Sequence, residues 1–123
     1  MKALITGASS GIGRDMAIVL SNMGYDLILV ARSKTNLEKL EEELKTDVKV
    51  IPMDISSVDN CKKLYNKVKN DNIDILINNA GFGLVSEFKN SNLDRELEMI
   101  DLNVKSLHTL TKLFYKDFVK IGK

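Results

Sequence analysis

The sequence is short of the residues that build several kinds of functional site. Its 123 residues include one cysteine, Cys61, and one histidine, His108. A single cysteine excludes an internal disulfide and fits a reducing compartment. With one cysteine and one histidine there is no case for a metal site. Charge of one sign is lacking too. The net charge is +1, so nothing calls for nucleic acid or an anionic membrane as partner. No stretch approaches the roughly 20 apolar residues of a membrane span. The apolar run after Lys2 is too short for a secretory leader. Linkers, repeats and low-complexity segments are also missing. What remains is 44% hydrophobic and 28% charged. This is the composition of one compact domain over residues 1–123, and the single cysteine with no leader pattern or membrane span predicts a cytoplasmic location.

The most informative stretch is Thr6-Gly7-Ala8-Ser9-Ser10-Gly11-Ile12-Gly13. It stands between a short apolar run, Ala3-Leu4-Ile5, and a helical pattern that begins at Ile12. That order predicts a strand, a tight turn and a helix. Gly7 can take backbone angles closed to other residues. Gly11 has no side chain to hold a phosphate off, and Gly13 lets the helix lie close to the strand. The free N–H groups of the first helical turn face the loop, and the helix dipole favours an anion there. A pyrophosphate meets those demands, so the expected ligand is a dinucleotide. Gly7, Ser9, Ser10, Gly11, Ile12 and Gly13 are the candidate contacts.

Along the chain, strands are expected at 2–6, 26–31, 48–52 and 73–77. The run at 26–31 is continuously apolar, as for a strand buried on both faces. Ile12, Met16, Leu20 and Met23 predict the inner face of the first helix, closed by Gly24 at its end. Ser33 caps the second helix, whose stripe is Leu37, Leu40 and Leu44. Ser56 and Asp59 suggest a variant capping box for the third. Its inward residues are Val58, Cys61, Leu64, Tyr65 and Val68. Ser91 and Asp94 suggest a cap for a long helix to about Lys120. Leu93, Leu97, Ile100 and Val104 mark its first half, and Leu107, Leu110, Phe114 and Phe118 its second. Strict alternation of strand and helix predicts an α/β, doubly wound parallel sheet. Right-handed crossovers favour the strand order 3-2-1-4, with the ligand between the ends of strands one and four.

Three further positions lie at strand ends. Arg32 follows strand two, where a carboxylate would hold the ribose hydroxyls of NAD. An arginine pairs instead with a 2′-phosphate, which favours NADP(H) over NAD(H). Asp54-Ile55 follows strand three. Asn78-Asn79-Ala80-Gly81 follows strand four, where Ala80 and Gly81 let the backbone close on a ribose. The amides of Asn78 and Asn79 can tie neighbouring strands.

The glycine octet, Arg32, Asp54, the Asn-Asn-Ala-Gly loop and Asp101-Leu102-Asn103-Val104 come in the order and spacing of one family. The chain resembles the short-chain dehydrogenases/reductases from residue 2 to about 120. The resemblance implies a Rossmann-like fold and hydride transfer between a nicotinamide and a carbonyl or alcohol carbon. It implies that Asp54 and Ile55 line an adenine pocket. It also implies that Asn79, Ala80 and Gly81 contact the cofactor, and that Asn103 has a catalytic part, helping to hold a water.

By the same resemblance, a serine and a Tyr-x-x-x-Lys pair belong after this stretch. The chain would then be the cofactor-binding half, truncated before the fifth strand and inactive alone. Tyr65-Asn66-Lys67-Val68-Lys69 matches the spacing but lies on the wrong helix. An unpaired fourth strand and the long helix predict homo-oligomers or marginal stability. A second reading is a non-catalytic nucleotide-binding or interaction module. A methyltransferase of similar fold is a weaker third, because Arg32 stands where its cofactor's ribose wants a carboxylate. The substrate is not legible, although Phe82 and Leu84 suggest an apolar wall.

Overall fold

The structure is a computed structural model that describes residues 1–80, 92–120 and 122, with the backbone alone at 96 and 98–102. Four parallel strands form one sheet: β1 (Lys2–Thr6), β2 (Asp26–Ala31), β3 (Val48–Pro52) and β4 (Ile75–Ile77), in the order β3-β2-β1-β4. The register is continuous, with Leu4 beside Ile28 on one side and beside Leu76 on the other. Helices α1 (Gly11–Asn22), α2 (Lys34–Glu43) and α3 (Val58–Val68) join successive strands.

Alternation along the strands divides the interior in two, because successive side chains point to opposite faces. Ala3, Ile5, Leu27 and Leu29 pack with Ala17, Leu37 and Leu40 of α1 and α2. Leu4, Ile28, Val30 and Ile51 pack with Cys61, Leu64 and Val68 of α3, and with Leu110 and Phe114 near the C-terminus. The continuous apolar run of β2 therefore serves both layers.

Several local expectations are corrected. The inner face of α1 is Gly13, Ala17 and Ser21, while Ile12 and Met23 are exposed. The small residues face the sheet because the helix approaches β1 too closely for large ones. The end of α1 is as expected: Gly24 has φ +91. Its N–H donates to Ser21 O, and that of Tyr25 to Leu20 O. These are the paired bonds of a glycine helix stop.

Ser33 caps α2 as expected, accepting from Asn36 N. The cap of α3 is Ser57, which accepts from Asn60 N at 3.0 Å. Ser56 is used one step earlier: its N–H donates to the Asp54 carboxylate. Strand β4 covers only Ile75–Ile77. Before it, Asp74 meets the start of β1 with backbone and side chain both, and Ile73 is buried off the sheet.

The long C-terminal helix is not uniform. It comprises α4 (Leu93–Ile100), a π-helical segment (Asp101–Ser106) and α5 (Leu107–Lys120). Its cap is Asn92, which accepts from Arg95 N at 3.1 Å; Ser91 lies outside the described residues. Leu93, Leu97, Val104 and Leu107 are exposed, although they carry the expected apolar stripe. The wide π turn takes up more residues per turn than an α-helix. A stripe phased on one α-helix therefore cannot stay on one face through it.

Candidate functional site

The carboxyl ends of β1 and β4 are tied together by Thr6. This buried hydroxyl accepts from Asn79 N and Ala80 N, both at 3.0 Å, and donates to Ile77 O at 3.4 Å. Its hydrogen-bonding capacity is filled, so the two strand ends are held at a fixed separation. The Asn79 side chain adds a bond from Nδ2 to Gly7 O at 3.2 Å. Asn78 reaches the other way, to Thr111 Oγ1 on α5 at 3.0 Å.

The glycines of the turn have separable roles. Gly7 has φ +64, and a Cβ there would lie 2.9 Å from Ala80 Cα. A Cβ on Gly13 would lie 2.2 Å from Gly7 O and 2.5 Å from Asn79 Nδ2. Gly13 thus forms the floor of the turn. Gly11 has φ +57 and open space around it. Ser10 stands at the cap position of α1 in extended conformation, yet its side chain makes no capping bond and the first turn holds no acid. The first N–H groups of α1 keep their capacity for an anion.

These elements open on a cleft of about 600 Å³ at the carboxyl end of the sheet. Gly7, Ser9, Ser10 and Ile12 form one wall, and Ala31 and Arg32 the exit of β2. Met53, Asp54, Ile55 and Ser56 form the far side, and Asn79 and Ala80 the edge by β4. Gly11 and Gly13 support the turn without lining the cleft. Asn103 does not line it either; it sits half-buried on the π segment. Gly81, Phe82 and Leu84 lie outside the described residues.

Arg32 is exposed, and makes no hydrogen bond or close ion pair among the described residues. Asp54 is held by its own turn: Oδ1 accepts from Ser56 N at 3.0 Å, and its carbonyl accepts from Asn60 Nδ2 at 2.6 Å. The Ser56 N–H, helped by the charge of Arg32, holds the Asp54 carboxyl below the usual carboxylate range, against a smaller opposing effect of burial. Asp54 is thus a carboxylate at neutral pH. One cleft residue escaped the sequence reading. Arg95, in the first turn of α4, brings a second cation to the cleft. Its signal was topological: a helix that follows β4 starts at the end of the sheet where the cleft opens.

The Tyr65 spacing match is explained by packing. Its hydroxyl donates to Asp117 Oδ2 at 2.7 Å, and its ring meets Phe114 edge-on at 5.4 Å. The bond to Asp117 pushes the phenol up. That is the wrong direction for a tyrosine activated near neutral pH. Burial likewise pushes the Cys61 thiol up. His108 is exposed on α5. Among the described residues no group of three histidine, cysteine or acidic side chains is placed to hold a metal, and no helix is long and apolar enough to cross a membrane.

Comparison with known proteins agrees with this geometry. The family model for short chain dehydrogenase matches residues 1–123. An uncharacterized oxidoreductase of Staphylococcus epidermidis is 37% identical over 111 residues, covering 88% of this chain and 48% of that protein. Among solved structures, a short-chain dehydrogenase from Sphingobium yanoikuyae in complex with NADPH superposes with a TM-score of 0.90 at 33% identity. That match covers 99% of this chain and 50% of the other. A bulky-bulky ketone specific alcohol dehydrogenase from Comamonas testosteroni gives a TM-score of 0.89 at 34% identity, over 99% and 51% of the two chains. The chain spans about half the length of these relatives. The sheet order, the glycine turn at its switch point and the match along the whole sequence lead to one assignment: the chain belongs to the short-chain dehydrogenase family.

Proposed function

We propose that this chain is the cofactor-binding part of an NADP(H)-dependent oxidoreductase acting on a carbonyl or alcohol carbon. The observation that carries the proposal is the cleft at the switch point. A helix N-terminus without side-chain cap or acid faces it, and Arg32 stands where a ribose-binding carboxylate would serve NAD. The cofactor fits the turn on a simple test: the space against Gly7 O that a Cβ on Gly13 would need is already closed. The loop can therefore lie flat under a pyrophosphate. The NADPH complex of the Sphingobium relative supports the same reading.

In this proposal Ser9, Ser10, Ile12 and the first N–H groups of α1 hold the pyrophosphate. Arg32 pairs with the 2′-phosphate, Asp54 and Ile55 flank the adenine, and Asn79, Ala80 and Gly81 lie along the ribose. The nicotinamide, when bound, supplies or accepts the hydride. Asn103 helps hold a water on the proton path. Work on the carbonyl oxygen falls to residues outside this chain, so the 123 residues alone do not turn over substrate. The exposed apolar residues Leu97, Val104, Leu107, Tyr115 and Val119 fit a homo-oligomer formed through the long helix. A cytoplasmic location accords with the single buried thiol.

The test is thermal unfolding titrated with NADPH and with NADH. A ligand that binds only the folded state adds about 2.7 kcal/mol at a hundredfold excess over its dissociation constant. We expect a larger shift with NADPH and loss of that preference in Arg32→Ala. Equal shifts with both cofactors would remove the NADP(H) assignment. A cooperative transition with no shift from either would leave the non-catalytic scaffold.

A further inference from the structure

Ser106 is the polar member of a buried stripe. Ser106, Leu110 and Phe114 follow one another at four-residue steps, and all three are buried. A hydroxyl in such a place costs free energy unless it is bonded. Ser106 Oγ donates to the carbonyl oxygen of Ile55. The Cys61 thiol donates to the same oxygen at 3.3 Å. Ile55 belongs to no strand or helix. It sits in the turn between β3 and α3, and that turn is one wall of the cleft. A thiol is a weak donor, so the serine carries most of the attachment.

The other end of the bond is the π-helical segment. Ser106 is its last residue, and Asn103 lies three residues earlier. Among the residues of this segment whose side chains are described, Ser106 alone is fully buried. A π turn bonds each N–H five residues back instead of four, and such turns cluster at functional sites. Its position along the helix decides how everything before it is rotated relative to α5. The buried bond at its C-terminal edge, joined by a weak one from Cys61 Sγ to Ser106 O at 4.0 Å, fixes that position against the cleft wall.

We infer that Ser106 is a positioning residue that couples the Asp54–Ile55 wall of the cleft to the setting of Asn103 on the π turn. This rests on the cofactor reading given above. Occupation of the wall by the adenosine end of the cofactor is then felt at Asn103, although Asn103 does not line the cleft.

The experiment follows the side-chain amide signal of Asn103 by NMR while the full chain is titrated with 2′,5′-ADP, and measures affinity and unligated unfolding in parallel. The unchanged chain should show an Asn103 shift on saturation. Ser106→Ala should bind several-fold more weakly, because the untied wall must then be ordered on binding, and its Asn103 signal should no longer respond. Ser106→Thr, which keeps the hydroxyl, should restore the response. If Ser106→Ala does not fold, Ser106→Cys, with a weak donor of similar size, is read in the same way. A variant that loses thermal stability but keeps both affinity and the Asn103 response would overturn the coupling and leave the cofactor reading intact. Failure of the unchanged chain to bind 2′,5′-ADP would overturn both.

Discussion

Strands β2 and β4 are both built on Leu and Ile in one sheet, and they are held by different means. Five of the six residues of β2 are buried, and it has a neighbour on each side. All three residues of β4 are half-buried, and among the described residues it pairs with β1 alone. Burial secures β2. The polar ties beyond the end of β4, from Thr6 and Asn79, secure its exit loop in place of burial. The difference places the candidate site where packing is looser than in β2 and directed bonds take its place. A loop set by hydrogen bonds and glycine contacts can present backbone to a ligand, which a packed apolar end cannot do.

Breaking the contact between the glycine turn and the β4 exit should have the largest effect. Gly13→Ala drives a methyl into Gly7 O and Asn79 Nδ2. Both are fixed, one as backbone and the other by its bond to Gly7 O, so the helix must move. We expect a loss of about 3 kcal/mol or more by urea denaturation, with no cofactor-induced shift in melting. Gly11→Ala is the control. It meets no atom within 4 Å and should cost only the strain of a positive φ, about 1 kcal/mol.

The comparison of strands is tested directly by matched truncations. Leu29→Ala removes a fully buried side chain from β2, and should cost about 3 kcal/mol. Leu76→Ala removes the same atoms from β4, where the residue is half-buried, and should cost about half as much. Equal losses in chemical denaturation would mean that the β4 edge is covered in solution, as a homo-oligomer would cover it. Sedimentation of the unchanged chain separates that case from an error in the packing argument.

Thr6→Val probes the polar ties. It keeps the shape but leaves Ala80 N without its acceptor and Asn79 N with the Ile77 carbonyl alone, for an expected loss of about 2 kcal/mol. Because the hydroxyl sets the spacing of the strand ends, cofactor affinity should fall with stability. A variant that is destabilised but binds unchanged would show that the glycine contacts alone shape the cleft.

Much of this was written plainly in the residues. The apolar run at 26–31 announced a central strand, Ser33 and Gly24 announced helix ends, and the alternation of elements led to the order 3-2-1-4. The residues singled out at four strand ends meet around one cleft because parallel strands all end on the same side. Misreadings share a cause. The apolar spacing places Ile12 and Met23 on the inner face, whereas close approach to β1 selects Gly13 and Ala17. Ser56 resembled a cap until the Asp54 carboxylate claimed its N–H. The π turn left no trace in the pattern, since one extra residue in a helix has no composition. Arg95 and Ser106 were overlooked because each matters through a tertiary neighbour on a distant element.

The smallest expected effect tests how the far wall of the cleft is held. Asp54 has a lowered pKa, first through the Ser56 N–H and less through Arg32. A group lowered in the folded state contributes stability above its unfolded pKa, near 3.8. That contribution is lost as pH falls through the folded value. Asp54→Asn should therefore leave stability little changed at pH below the folded pKa and lower it slightly at neutral pH, with the difference opening between. The residue is exposed, so solvent screens the charge interaction with Arg32 and the bond to Ser56 N carries most of the effect. Raising salt should then leave the pH dependence largely in place. If salt abolished it, the wall would be held by the arginine charge, and the turn that Ser106 is proposed to anchor would be tuned from the same residue that is proposed to pair with the 2′-phosphate.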